Sequence, residues 1–81
     1  MKVKVQFFSY FQKLTGCSEG EETLPEGATL GELVGQLQRR FPRLKEMERS
    51  TLIAVGLEYQ PASFALRDGD EVSLFPPVQG G

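Results

Sequence analysis

Thr29-Leu30-Gly31-Glu32-Leu33-Val34-Gly35-Gln36-Leu37-Gln38-Arg39-Arg40-Phe41-Pro42 is the stretch that decides the fold. Thr29 and Glu32 stand at the spacing of a capping box, in which each side chain satisfies a free backbone N–H at the start of a helix. Leu30, Leu33, Val34, Leu37 and Phe41 then fall on one helical stripe. Pro42 stops the helix near Phe41, because the residue before a proline is pushed out of helical geometry. Gly31 and Gly35 break the pattern, each costing about 1 kcal/mol relative to alanine in a helix interior. The close approach of another backbone is the physical reading open to them.

Upstream of this helix, Val3, Val5 and Phe7 alternate with Lys2, Lys4 and Gln6, the period of a half-buried strand. Phe8 follows on the polar side of that alternation. Ser9 is placed to cap a short helix running to Leu14, which Gly16 closes. Residues 21–24 predict a second strand, paired with the first as a hairpin, although glutamates are poor strand formers. Pro25-Glu26-Gly27 is a turn.

Downstream, residues 43–49 are charged and predict a short helical turn. Leu52-Ile53-Ala54-Val55 predicts a buried strand, and 56–62 a turn region carrying Tyr59 and Pro61. Arg67-Asp68-Gly69-Asp70 is a tight turn that launches a last strand, Glu71 to Phe75. Hairpin-like ends around one amphipathic helix predict an α+β fold with the helix packed on one face of a mixed sheet of about four or five strands. The β-grasp, or ubiquitin-like, arrangement is the known solution for this order, with the first and last strands side by side. Residues 1–75 are expected to form that domain, and 76–81 a flexible C-terminal Gly-Gly tail.

Composition narrows the chemistry. Eighty-one residues make one domain that buries roughly 60% of its unfolded surface, with no room for a separate enclosed active site. The net charge of −2 argues against nucleic acid. There is no histidine, and the single cysteine, Cys17, permits neither an internal disulfide nor a metal site. That usage fits a reducing compartment. No stretch approaches the ~18 apolar residues of a membrane span, and the alternating start is unlike a signal peptide. The reading is soluble and cytoplasmic.

Few residues are left to carry function. Phe8 and Phe75 both fall on the solvent side of neighbouring strands, where with Pro76, Pro77 and Val78 they make an apolar patch suited to a partner. As a simple cross-strand pair they would only stabilise the sheet. After Phe75 come Pro76-Pro77-Val78-Gln79-Gly80-Gly81. Proline holds such a tail extended, and glycine removes side chains that would block passage into a narrow channel. The tail reaches about 20 Å. Its reactive group is the Gly81 carboxylate, ionised at neutral pH and a poor electrophile until activated, most simply by attack on the α-phosphate of ATP. Two terminal glycines alone would mean little; the prolines and the preceding strand make the functional case.

The other candidates have plainer readings. Cys17 has no basic neighbour in sequence to activate it and reads as an incidental loop cysteine. Glu19, Glu21 and Glu22 read as a solvated acidic loop. Arg39, Arg40, Arg43 and Lys45 suit a helix C-terminus and could also help to dock an acidic partner. The glycines form neither G-x-G-x-x-G nor a G-K-[ST] loop, so ATP would have to be bound by another protein.

Leu66-Arg67-Asp68-Gly69-Asp70-Glu71-Val72, followed by Phe75-Pro76-Pro77-Val78-Gln79-Gly80-Gly81, resembles the small, sulfur-carrier subunits of molybdopterin synthase. Val3-Lys4-Val5-Gln6-Phe7-Phe8 leading to Leu14-Thr15-Gly16 also fits, so the similarity spans essentially the whole chain. The Asp-Gly-Asp turn is common among β-grasp proteins, whereas the Phe-Pro-Pro-Val-x-Gly-Gly ending is far more specific. The resemblance implies a non-catalytic, sulfur-donating subunit that binds no cofactor of its own. An E1-like adenylating enzyme would use ATP to activate Gly81, and sulfur transfer would convert it to a thiocarboxylate. The tail, Pro76, Pro77, Val78, Gln79 and Gly80 with Gly81, would then enter the large synthase subunit. There it would give sulfur to cyclic pyranopterin monophosphate, two such transfers building the dithiolene. The implied assembly is a heterotetramer, with Phe8 and Phe75 serving both partners in turn. One departure is Gly56, where family members often have Asn. The alternatives are sulfur carriage for thiamine and a ubiquitin-like modifier conjugated through Gly81.

Overall fold

The structure, a computed structural model, describes residues 1–75, with the side chains of 47–50 excepted. Five strands form one sheet: β1 (Lys2–Phe7), β2 (Glu19–Thr23), β3 (Leu52–Val55), β4 (Glu58–Tyr59) and β5 (Glu71–Phe75). Their order is β2-β1-β5-β3-β4, with β1 and β5 parallel at the centre and the other pairings antiparallel. This is the expected β-grasp arrangement. The short helix α1 (Tyr10–Thr15) follows β1, and the long helix α2 (Leu30–Arg40) crosses one face of the sheet. A 3-10 segment, Pro42–Ser50, connects α2 to β3.

The predicted alternation of β1 is realised. Val3, Val5 and Phe7 are buried beneath α2, together with Val72 and Leu74 of β5. Leu30, Leu33 and Leu37 meet them from the helix side, while Val34 and Phe41 at the margins of the stripe are half-buried. Burying one such side chain contributes roughly 1.5–3 kcal/mol, so this seam carries most of the stability. The Thr29 hydroxyl accepts the Glu32 backbone N–H at 3.3 Å, the forward half of the capping box.

Three local expectations shift. The second strand begins at Glu19, ahead of the predicted 21, because the alternation of β2 buries Glu22 on the helix side and pairs the outward Glu21 opposite Lys4. The buried Glu22 carboxylate accepts hydrogen bonds from the Gln36 side chain at 2.8 Å and from the Arg40 guanidinium. β3 is half-exposed rather than buried: Leu52 faces out and Ala54 alone is fully covered. Ser9 precedes α1 without a side-chain cap, its φ of 55° lying in the left-handed region.

The turn before β5 is tied to the start of β1. Asp68 Oδ1 accepts the Lys2 backbone N–H at 2.7 Å, and the Lys2 carbonyl accepts the Gly69 N–H at 2.8 Å. Asp70 Oδ2 closes the turn on the Arg67 N–H at 2.8 Å, and Gly69 supplies the positive φ of 87°. These contacts set β5 in parallel register beside β1, with Lys4 opposite Glu71 and Phe7 opposite Leu74.

Candidate functional site

The register places Phe8 and Phe75 where the alternation requires, on the face of the sheet opposite α2. Phe8 follows Phe7, whose partner is Leu74, so the aromatic after each lies on the outer side. The Phe8 N–H donates to the Leu74 carbonyl at 3.2 Å, extending the ladder by one residue. At Ser9 the chain then turns off the sheet. A non-glycine residue at positive φ stores roughly 1–3 kcal/mol of strain. Here that bend follows Phe8, one residue beyond β1, and its ring stays partly uncovered.

The two rings stack, 4.7 Å between centroids and 11° between planes. Tyr59, on the edge strand β4, meets Phe75 edge-on, at 6.5 Å and 80°. Leu52 is the cross-strand partner of Phe75. Phe8 is 37% exposed, Leu52 36% and Tyr59 67%, so the cluster is a surface patch and no part of the core. Tyr59 and Leu52 were not singled out from the sequence. The available signal was register: if Leu52 lies opposite Phe75, it and every second neighbour share the outer face.

The far end of the outer face is charged. Lys4 lies between Glu21 and Glu71 in register, and the Lys2 ammonium stands 3.8 Å from Glu21. The apolar patch therefore occupies one end of the sheet, the end at which β5 leads into Pro76. Pro76, Pro77, Val78, Gln79, Gly80 and Gly81, the expected sulfur-bearing tail, lie outside the described residues.

The remaining candidates separate from this patch. Cys17 is half-buried against the core, with its thiol 3.6 Å from the Thr15 hydroxyl. Of the three glutamates, Glu22 is the buried tie to α2, which corrects its reading as part of a solvated loop. Arg40 is committed to Glu22 and Arg43 lies 3.8 Å from Glu46. Among the described residues no group of His, Cys, Asp or Glu is placed to hold a metal ion. No helix there is long and apolar enough to cross a membrane.

Comparison with known proteins agrees with this geometry. Residues 5–81 match the model of the ThiS family. The chain is 37% identical over 82 residues to a molybdopterin synthase sulfur carrier subunit of Mycobacterium tuberculosis, covering 100% of this chain and 99% of that protein. A Pyrococcus furiosus structure described as a candidate subunit 1 of molybdopterin converting factor superposes with a TM-score of 0.89 at 37% identity, over 96% of this chain and 99% of that one. A Helicobacter pylori chain solved in the complex of subunits 1 and 2 of molybdopterin-converting factor matches over the full length of both chains, with a TM-score of 0.74 and 32% identity.

Proposed function

The chain belongs to the ThiS family, and on that premise we propose that it is the cytoplasmic sulfur-carrier subunit of a molybdopterin synthase. The observation that carries this reading is the aromatic patch of Phe8, Phe75 and Tyr59, uncovered at the end of β5 from which the Gly-Gly tail departs. A docking surface at that point holds the domain against a partner while the tail is presented to the partner's active site. The partner is the large subunit of the synthase, as in the H. pylori complex of subunits 1 and 2. An E1-like enzyme uses the same face at an earlier stage.

The chemistry rests on Gly81. Its carboxylate oxygen attacks the α-phosphate of ATP held by the activating enzyme, and pyrophosphate leaves. Hydrosulfide then attacks the acyl-adenylate carbonyl, AMP leaves and the S–H proton is lost, giving the thiocarboxylate. In the large subunit the thiocarboxylate sulfur bonds to a side-chain carbon of cyclic pyranopterin monophosphate as an oxygen substituent leaves that carbon, and water then cleaves the acyl–sulfur bond to restore the Gly81 carboxylate. This chain contributes no acid, base or cofactor to these steps; it presents the terminus and binds the partner.

Intact-mass spectrometry after incubation with the activating enzyme, ATP and a sulfur donor tests the reading. The C-terminal fragment gains the mass of sulfur in place of oxygen. An unchanged mass overturns it, and an amide link from Gly81 to a lysine assigns the chain to protein modification instead. Supply of sulfur to thiamine rather than molybdopterin in a reconstituted system assigns it to the other carrier class. Deleting Gly81 abolishes transfer and leaves the melting temperature unchanged, because the core is built from residues that precede the tail.

A further inference from the structure

Two depressions meet on α2, and Gly35 and Gln38 line both. One, of about 270 Å³, is apolar, walled by Leu30, Val34, Ile53 and Ala62. The other, of about 460 Å³, is bordered by Arg39, Pro42 and Lys45. They form one groove that runs from an apolar trough to a cationic mouth, on the helix side of the domain and away from Phe8 and Phe75.

The two helix glycines have different explanations. A Cβ on Gly31 would lie 3.3 Å from both the Cβ and the carbonyl oxygen of Ala62, and that carbonyl accepts the Gly31 N–H at 2.9 Å. Gly31 thus sits at a close contact inside the domain that disfavours a side chain there. A Cβ on Gly35 would meet nothing within 4 Å. Glycine in mid-helix is unfavourable, and at Gly35 no internal contact offsets it. What the missing side chain leaves open is the groove, where another backbone can approach closely.

Charge selects the occupant. The chain as a whole carries −2, yet Arg39 and Lys45 stand together at the mouth with no ion-pair partner among the described residues. A helix C-terminus favours cations in its last turn, which accounts for Arg39, but Lys45 lies beyond α2. The two depressions make an open, elongated surface groove and not an enclosed cavity of the kind that buries a small molecule, a shape that suits the side chains of an extended peptide.

We propose that this groove docks a short extended segment of a partner protein, in which aliphatic residues are followed by acidic ones. The aliphatic side chains fill the trough, the backbone passes over Gly35 beside the Gln38 amide, and the carboxylates face Arg39 and Lys45. The site is independent of the sulfur chemistry, and because it lies on the opposite face it leaves the aromatic patch free.

Titration of the isotope-labelled full chain with an acetylated Val-Leu-Gly-Asp-Glu peptide, followed by amide chemical shifts, tests this. Shifts confined to Val34, Gly35, Gln38, Arg39 and Ile53 are expected. Binding weakens about tenfold or more in the Arg39→Glu/Lys45→Glu variant and with rising salt, and is lost in Gly35→Leu. Equal binding of Val-Leu-Gly-Lys-Lys, unaltered binding by the charge-reversed variant, or shifts confined to Phe8 and Phe75 overturn the proposal. So does a Phe-Pro-Pro-Val-Gln-Gly-Gly peptide shifting the same amides, which makes the chain's own end the occupant. Concentration dependence of those amides without peptide makes it a second copy, and overturns the proposal equally.

Discussion

Phe8 and Phe75 lie face to face across the two central parallel strands, 4.7 Å apart at their centroids, with neither ring in the core. A stacked pair of this kind contributes roughly 0.5–1.5 kcal/mol to stability, which is modest beside the buried seam under α2. Placed at the centre of an interface, an aromatic residue typically contributes 2 kcal/mol or more to binding. Phe75→Arg is therefore expected to lower the melting temperature slightly and to weaken binding to the large synthase subunit by about 30-fold or more. Calorimetric titration alongside thermal melts checks both halves. Normal binding by this variant removes the aromatic patch from the interface.

Tyr59 extends the same argument to a residue on a different strand. It meets Phe75 edge-on and is 67% exposed, so it has little to lose in the free domain. Tyr59→Ser is expected to weaken the same complex with almost no change in stability. A large loss of stability with unchanged binding would instead make Tyr59 a brace for β4.

The patch was half legible in the sequence. Period-two alternation alone puts Phe8 opposite Val3, Val5 and Phe7, and Phe75 opposite Val72 and Leu74. Tyr59 and Leu52 escaped because their faces depend on which strand lies beside which, and periodicity carries no information about neighbours. The same ignorance made β3 read as buried, since four apolar residues in a row do not reveal that Leu52 faces out with Phe75. Glu22 was misread for a related reason. A glutamate among glutamates looks solvated until α2 brings Gln36 and Arg40 over it. The helix was the most legible element, because capping, periodicity and the closing proline are all local.

The Glu22–Arg40 tie is expected to be asymmetric. Glu22 is buried at 3% exposure, whereas the Arg40 side chain is 55% exposed. Arg40→Ala leaves a buried carboxylate with Gln36 as its remaining side-chain donor, a loss of about 1–3 kcal/mol. Glu22→Leu frees a guanidinium that water can reach and puts apolar volume against the core, so its cost is smaller. Denaturant unfolding of the two single variants and the double variant measures the coupling. Equal losses from both single variants would show that burial of the carboxylate does not govern the pair.

The turn before β5 predicts a local effect on a distant strand. Asp68 holds the backbone of Lys2, 66 positions away in sequence. Asp68→Ala removes one acceptor, at roughly 0.5–1.5 kcal/mol, and should raise amide hydrogen exchange at Lys2 in particular. Gly69→Ala forces a side chain into a left-handed backbone, with φ at 87°, and is expected to cost about 1 kcal/mol or more. Exchange that rises evenly over the sheet in Asp68→Ala would show that the turn is not what anchors β1.

Gly31 and Gly35 give the sharpest contrast, because they share one helix, Gly31 in its first turn and Gly35 at its middle. Replacing a mid-helix glycine by alanine gains about 1 kcal/mol when the site has room. At Gly35 the new Cβ meets nothing within 4 Å, so the full gain is expected and the melting temperature rises. At Gly31 the new Cβ stands 3.3 Å from the Ala62 carbonyl oxygen and Cβ. Ala62 must give way by a few tenths of an ångström while its carbonyl still accepts the Gly31 N–H. The helix gain is then offset, and Gly31→Ala is expected to be neutral or destabilising. Thermal melts of the two variants under one condition decide the matter. If both rise equally, the segment around Ala62 yields freely and close approach is not why Gly31 is there. If Gly35→Ala fails to stabilise, the space above Gly35 is not open in the folded domain, and the groove loses its physical basis.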